Sequence, residues 1–230
     1  MGEEGQLRIA RSRVGIAGCG GLGVNALTPL VEAGVTEFVL CDPAVPSVSD
    51  LNTQYIYAAG DIRPKCEIAA EWALALNCTV AAQAVPAEVA PDTVRMFEGC
   101  NAVLDCAGSR SASEALSAWC ASSGTALVHA QVSGGGGRLF TQIPGGPTLA
   151  DAMEAAGGPG GPAAAMGAST AVIASMQALE AVRVLAGQEP AFAGSVLKVD
   201  LGAMTFERVV LRRPRSERRT PPDRARGPGF

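Results

Sequence analysis

At 230 residues, with 48% hydrophobic and 17% charged side chains, the chain has the composition of a folded domain rather than of a disordered polymer. Seven of its 18 basic residues fall between Arg212 and Arg226, so the −4 total hides a body of −9, and an acidic body excludes nucleic acid as the main partner. Seven cysteines with no CxxC pair exclude a disulfide framework and predict no structural zinc; with neither a signal peptide nor an apolar run of transmembrane length, a cytoplasmic protein without membrane contact is expected.

Strand and helix patterns alternate through the first two-thirds. Val14–Ala17 reads as a buried strand, and Leu22–Ala33 as a helix stopped by Gly34. "EFVLCD" is a second strand ending on Asp42, followed by the long loop "PAVPSVSDLNTQ". "RPKCEIAAEWALALN" reads as a helix with Pro64 near its start and Asn77 at its end. "TVAAQAV" and "NAVLDCAG" are strands, "SASEALSAWCASSG" a helix closed by Gly124, and "TALVHAQV" a further strand with His129 at its carboxyl end.

From Gly134 the texture changes. "SGGGGRLFTQIPGGPTL" suggests a hairpin or irregular edge, and "AAGGPGGPAAAMG" a flexible crossing loop. "ASTAVIASMQALEAVRVLAG" is one long amphipathic helix stopped by Gly187. "SVLKVDLGAMTFERVVLRR" alternates as an antiparallel hairpin with Gly202 near its turn. The expected fold is α/β: a Rossmann-like, mostly parallel sheet with helices on both faces, plus a C-terminal long helix and hairpin. Residues 1–211 form one nucleotide-binding domain in this reading, and 212–230, rich in Arg, Pro and Gly, a basic disordered tail.

The chemistry starts at Gly18-Cys-Gly20-Gly21-Leu-Gly23, a GxGxxG that follows a strand and opens a helix. Asp42 stands 19 residues after Gly23 at the end of the next strand. Glycines let backbone approach phosphate, the helix N-terminus supplies N–H donors, and the acid accepts from ribose hydroxyls. That layout fits NAD and ATP equally.

The segment after Asp42 separates them. Asp50-Leu51-Asn52-Thr53-Gln54, then Asp61-Ile-Arg-Pro64-Lys65, resembles the Asn-Leu-x-Arg-Gln and Asp-x-x-x-Pro-Lys motifs of the ThiF/MoeB/HesA family, the bacterial relatives of ubiquitin-activating enzymes. The C-terminal helix and hairpin also resemble that family, with Gln177, Glu180 and Gly187 in matching places, and the resemblance spans roughly residues 8 to 212. It implies ATP-dependent adenylation, with magnesium, of a carboxylate: the C-terminus of a ubiquitin-like sulfur carrier, or a small carboxylated metabolite. It implies a homodimer as well. Carried over by position, Gly18, Gly20, Gly21 and Gly23 cradle the phosphates, Asp42 holds the ribose, and Asp50, Asn52 and Gln54 shape the pocket. Lys65 supplies the phosphate cation, and Asp105 is the remaining acid on the catalytic side.

Four departures bear on the chemistry. The family's motif arginine is Thr53 here and its asparagine is Asp50, and threonine cannot replace a planar, permanently charged donor set. The family's Asp-Cys-Thr-Asp-Asn is Asp105-Cys106-Ala107-Gly108-Ser109, so Gly108, with no ligand atom, takes the place of the magnesium-managing acid. The short start "MGEEGQLRIARSRV" is expected to leave no room for the N-terminal helix whose arginine reaches the partner's γ-phosphate. The crossing loop has no cysteine, which excludes a thioester step there. Each lost charged group removes about 2–4 kcal/mol of transition-state stabilisation, so two or three losses slow adenylation roughly a thousandfold unless compensated. Arg11, Arg13, Arg110 and Arg138 are positional candidates for that compensation, and the lone histidine, His129, for a role at the sheet edge. The competing readings are a non-catalytic ThiF-like scaffold, or inactive half of a pair, and a nicotinamide-dependent oxidoreductase.

Overall fold

The computed structural model describes residues 2–157 and 165–211. The basic tail and the middle of the expected crossing loop lie outside them. Five parallel strands, β1 (Arg13–Ala17), β2 (Glu37–Cys41), β3 (Ala81–Val85), β4 (Ala102–Asp105) and β5 (Ala126–Ser133), lie in the order β3-β2-β1-β4-β5. The sheet then continues antiparallel through β6 (Gly136–Gln142), β7 (Ser195–Asp200) and β8 (Thr205–Val210). The expected mixed α/β architecture, mostly parallel with a C-terminal hairpin, is the one observed.

Alternation along the strands explains why both faces are covered. Val14 and Ile16 of β1 join Phe38, Leu40, Leu104 and Val128 on one face, against α2 (Gly21–Glu32), α3 (Lys65–Leu76) and α6 (Gly167–Leu185). Ala17, Val39, Val103 and Leu127 face the other way, toward Phe97 and α4 (Arg110–Ser123). With so few aromatic residues the core relies on close approach, and α2 lies directly on α6. Gln177 and Glu180 of α6, both fully buried, replace contacts an apolar side chain would make with hydrogen bonds. Gln177 Nε2 donates to the carbonyls of Asp105 and Val128, and Glu180 accepts from Thr141, Ala191 and Phe192. These two residues, which carry part of the family resemblance, tie the long helix to the sheet.

The structure corrects the sequence reading in four places. A nine-residue helix, α1 (Gly2–Ala10), occupies the N-terminal stretch expected to leave no room for one. It is mostly polar, and tertiary contacts hold it: Ile9 is fully buried, and Gln6 donates to the Ala33 carbonyl at the end of α2. Secondly, α5 (Leu149–Ala156) forms between the expected hairpin and the expected crossing loop, where the sequence suggests no element, opened by a capping box between Thr148 and Asp151. Thirdly, α6 does meet the length and apolarity of a membrane span, at 19 residues and mean hydropathy 1.2, but more than half of it is buried in the domain. Finally, His129 does not end its strand. The parallel pairing with β4 stops at His129, and β5 runs on to Ser133 against β6.

Candidate nucleotide site

The chain leaves β1 toward β2 on one side and reaches β4 on the other, so the carboxyl ends of β1 and β4 flank the point where an open α/β sheet binds ligands. The glycine loop sits there. Gly18 has φ +96°, and a side chain on it would strike the Cys106 carbonyl just after β4. A side chain on Gly23 would collide with the Gly18 carbonyl. These two glycines are required by the turn and by its packing on the helix. Gly20 is different: it is the N-cap of α2, no side chain caps that helix, and nothing lies within 4 Å of where its Cβ would be. The loop therefore offers open backbone and an uncapped helix N-terminus, which is what a phosphate needs.

Asp42 bonds this loop directly, and Lys65 is tied to it through Ala44 and Tyr57. Asp42 accepts from the Cys19 amide at 2.8 Å and from the Ala44 amide at 2.9 Å. The Lys65 amide donates to the Ala44 carbonyl at 2.7 Å, which fixes the start of α3 beside the acid. Tyr57, absent from the sequence-based set, places its buried hydroxyl 2.6 Å from the Cys19 carbonyl and 3.3 Å from that of Lys65. Burial raises the Tyr57 phenol, so it stays a neutral donor. Only a resolved loop conformation could have singled it out.

The Lys65 side chain is 8% exposed, and its ammonium lies 3.0 Å from Asp50 Oδ2. Asp50 also accepts from the Ser47 amide and hydroxyl and from Gln54 Nε2. Partial burial opposes ionisation, but the bonds from Lys65 and Ser47 outweigh it and hold the Asp50 carboxyl at about 2. Gln54 Oε1 is buried without a partner. Thr53 lies against Gly21, beside the N-termini of α2 and α6, while the exposed Asn52 turns its carbonyl toward Gly167.

The other candidates are placed as follows. Asp105 is 1% exposed. Its Oδ2 and His129 Nδ1 share a hydrogen bond of 2.7 Å, and its Oδ1 accepts from the Ala107 amide at 3.3 Å. It is a buried acid that holds the following loop. Gly108 adopts φ +71° in open space. Neither residue fits a magnesium ion, and no group of three or more His, Cys, Asp or Glu suited to a metal occurs among the described residues. Arg13 opens β1 at the sheet edge away from the loop and bonds Gln83 and the Glu98 carbonyl. Arg110 pairs with Glu114 in solvent, and Arg138 donates to the Gly157 carbonyl. No such bond places Arg11, which follows α1.

Residues 1–220 match the ThiF family. The chain belongs to that family. It is 32% identical over 219 residues to the SAMP-activating enzyme E1 of Haloferax volcanii, covering 92% of this chain and 81% of that one. It is 32% identical over 146 residues to the sulfur carrier protein ThiS adenylyltransferase of Escherichia coli, covering 61% of this chain and 57% of the relative. Against the pig adenylyltransferase and sulfurtransferase MOCS3 it is 32% identical over 236 residues and spans half of that longer protein. Among solved structures, Escherichia coli MccB crystallised with ATP superposes with a TM-score of 0.81 at 15% identity, over 92% of this chain and 67% of MccB. That last likeness is one of fold.

Proposed function

We propose that the chain is an ATP-dependent adenylyltransferase that activates a carboxylate as an acyl adenylate. Its substrate is the C-terminus of a ubiquitin-like sulfur carrier or a small carboxylated metabolite. The observation that supports this most is the open backbone at Gly20 beside an uncapped helix, with Asp42 and Lys65 held against the same loop. In the reaction a carboxylate oxygen attacks the α-phosphorus and pyrophosphate leaves. The amides at the start of α2 stabilise charge on the α-phosphoryl oxygens, and Asp42 accepts from the ribose hydroxyls. Tyr57 keeps the loop and the start of α3 in register, and Asp105 with His129 holds the loop after β4.

The protein works as a homodimer in this reading, supported by the exposed Val172 and Leu179 on the outer side of α6. A reducing, cytoplasmic setting is supported by seven free thiols. A second reading, a nucleotide- or partner-binding member without turnover, is favoured by the Asp50–Lys65 pair and by the burial of Asp105 against His129. Exchange of labelled pyrophosphate into ATP separates the two. Exchange that depends on a sulfur carrier or a small carboxylate supports the enzyme. ATP binding with no exchange for any acceptor, in a folded protein, supports the scaffold.

A further inference from the structure

Lys65 is the only buried lysine or arginine among the described residues. Its ammonium is already matched by a carboxylate at 3.0 Å. That carboxylate is not a loose neighbour: the Ser47 amide and hydroxyl, at 2.8 Å each, and Gln54 Nε2, at 2.9 Å, hold it in place. The nearby Arg63 is engaged at 2.9 Å by Asp61 and at 2.7 Å by Glu71. Asp42 adds a second negative charge beside the loop. With Asp42 and Asp50 against Lys65 alone, the formal side-chain charge around the loop is negative.

We propose that Asp50 determines which ligands this pocket prefers: by cancelling Lys65 it makes the site recognise the nucleoside end of an adenine nucleotide and gain little from added phosphate charge. The proposal rests on the reading of the pocket as an adenine-nucleotide site. An incoming phosphate must share Lys65 with Asp50 and accept the repulsion of a fixed carboxylate a few ångströms away. Helix amides still attract the first phosphate, but each further anionic group meets no second buried cation among the described residues.

Asparagine at this position tests the charge with little change of shape. Its oxygen can keep the bonds from Ser47 and Lys65. Its amide can donate to the buried Gln54 Oε1, which has no partner, once the Gln54 amide turns over. The experiment is calorimetric titration of adenosine, AMP, ADP and ATP in metal-free buffer, for the native chain and for Asp50→Asn. The native protein is expected to bind AMP, ADP and ATP within about threefold of one another, with adenosine weaker by the contact of the first phosphate with the helix amides. Asp50→Asn is expected to bind ATP about tenfold tighter than the native chain, the scale of one unit charge removed at close range, with adenosine unchanged. A native affinity climbing more than tenfold from AMP to ATP overturns the proposal, as does an Asp50→Asn protein with an unchanged ATP-to-adenosine ratio. Adenosine that binds neither protein overturns the adenine-nucleotide reading itself and the proposal with it. The native series needs no variant, so misfolding of Asp50→Asn cannot shelter the idea.

Discussion

Replacing Gly20 and Gly23 separately by alanine distinguishes a glycine kept for a ligand from one kept for the fold. At Gly20 the backbone is extended, with φ −76°, and nothing lies within 4 Å of the added methyl. Alanine is a poorer N-cap than glycine by some tenths of a kcal/mol or more, while the stiffer unfolded chain returns about 0.4–1 kcal/mol. Gly20→Ala should therefore fold with stability within about 1 kcal/mol of native. The methyl occupies the space through which a phosphate would reach the amides, and losing one charge-assisted bond of about 1.5–3 kcal/mol lowers ATP affinity by roughly 10- to 100-fold. Gly23→Ala drives its methyl into the Gly18 carbonyl, which is backbone and cannot swing aside. A cost of about 1–3 kcal/mol or more follows from such overpacking. Urea unfolding gives the stabilities and calorimetry the affinities. Unaltered ATP binding by Gly20→Ala, or a larger loss of stability there than at Gly23, would refute the reasoning.

Asp105→Ala removes the acceptor of both His129 and the Ala107 amide from a site with almost no solvent. It should cost about 3 kcal/mol, seen as a lower thermal midpoint; a shift of under a degree would show that the pair carries no weight. Because Asp50 titrates at about 2 in the folded chain, below the ordinary 3.8, its stabilisation is complete above about pH 4 and is lost as pH falls toward 2. Urea midpoints measured from pH 5 to pH 2.5 should fall more steeply for the native protein than for Asp50→Asn, and parallel slopes would contradict the ion pair. Burial pushes the Cys41 and Cys120 thiols up to about 12 and Cys100 to about 11, whereas Cys78 is exposed. Iodoacetamide at neutral pH should modify Cys78 alone in the folded protein, as read by peptide mass; labelling of Cys19 or Cys66 without denaturant would show that the loop opens.

Much of the fold was legible because its signals are local. The run Val14–Ala17, the glycines after it and the alternating Ala- and Leu-rich helices each announce themselves within a dozen residues. Helix α1 escaped because its evidence is tertiary: it depends on Ile9 reaching the core and Gln6 reaching Ala33. The site divides along the same line. Gly18–Gly23 and Asp42 follow from spacing, and Lys65 from its motif. That Lys65 meets Asp50, 15 residues earlier, depends on how a 3₁₀ turn at Val48–Asn52 folds back over α3. Asp105 and His129 meet only because β4 and β5 pair in a register that sets them opposite one another. Had that register been drawn from the strand ends, the pair could have been read in advance.

The most direct test of the central claim is a crystal structure with a non-hydrolysable ATP analogue. The account expects the ribose hydroxyls on Asp42, the α-phosphate over the Gly20 backbone at the start of α2, and the adenosine at the carboxyl ends of β1 and β4. Nucleotide bound elsewhere while the Gly20 loop stays bare would contradict it.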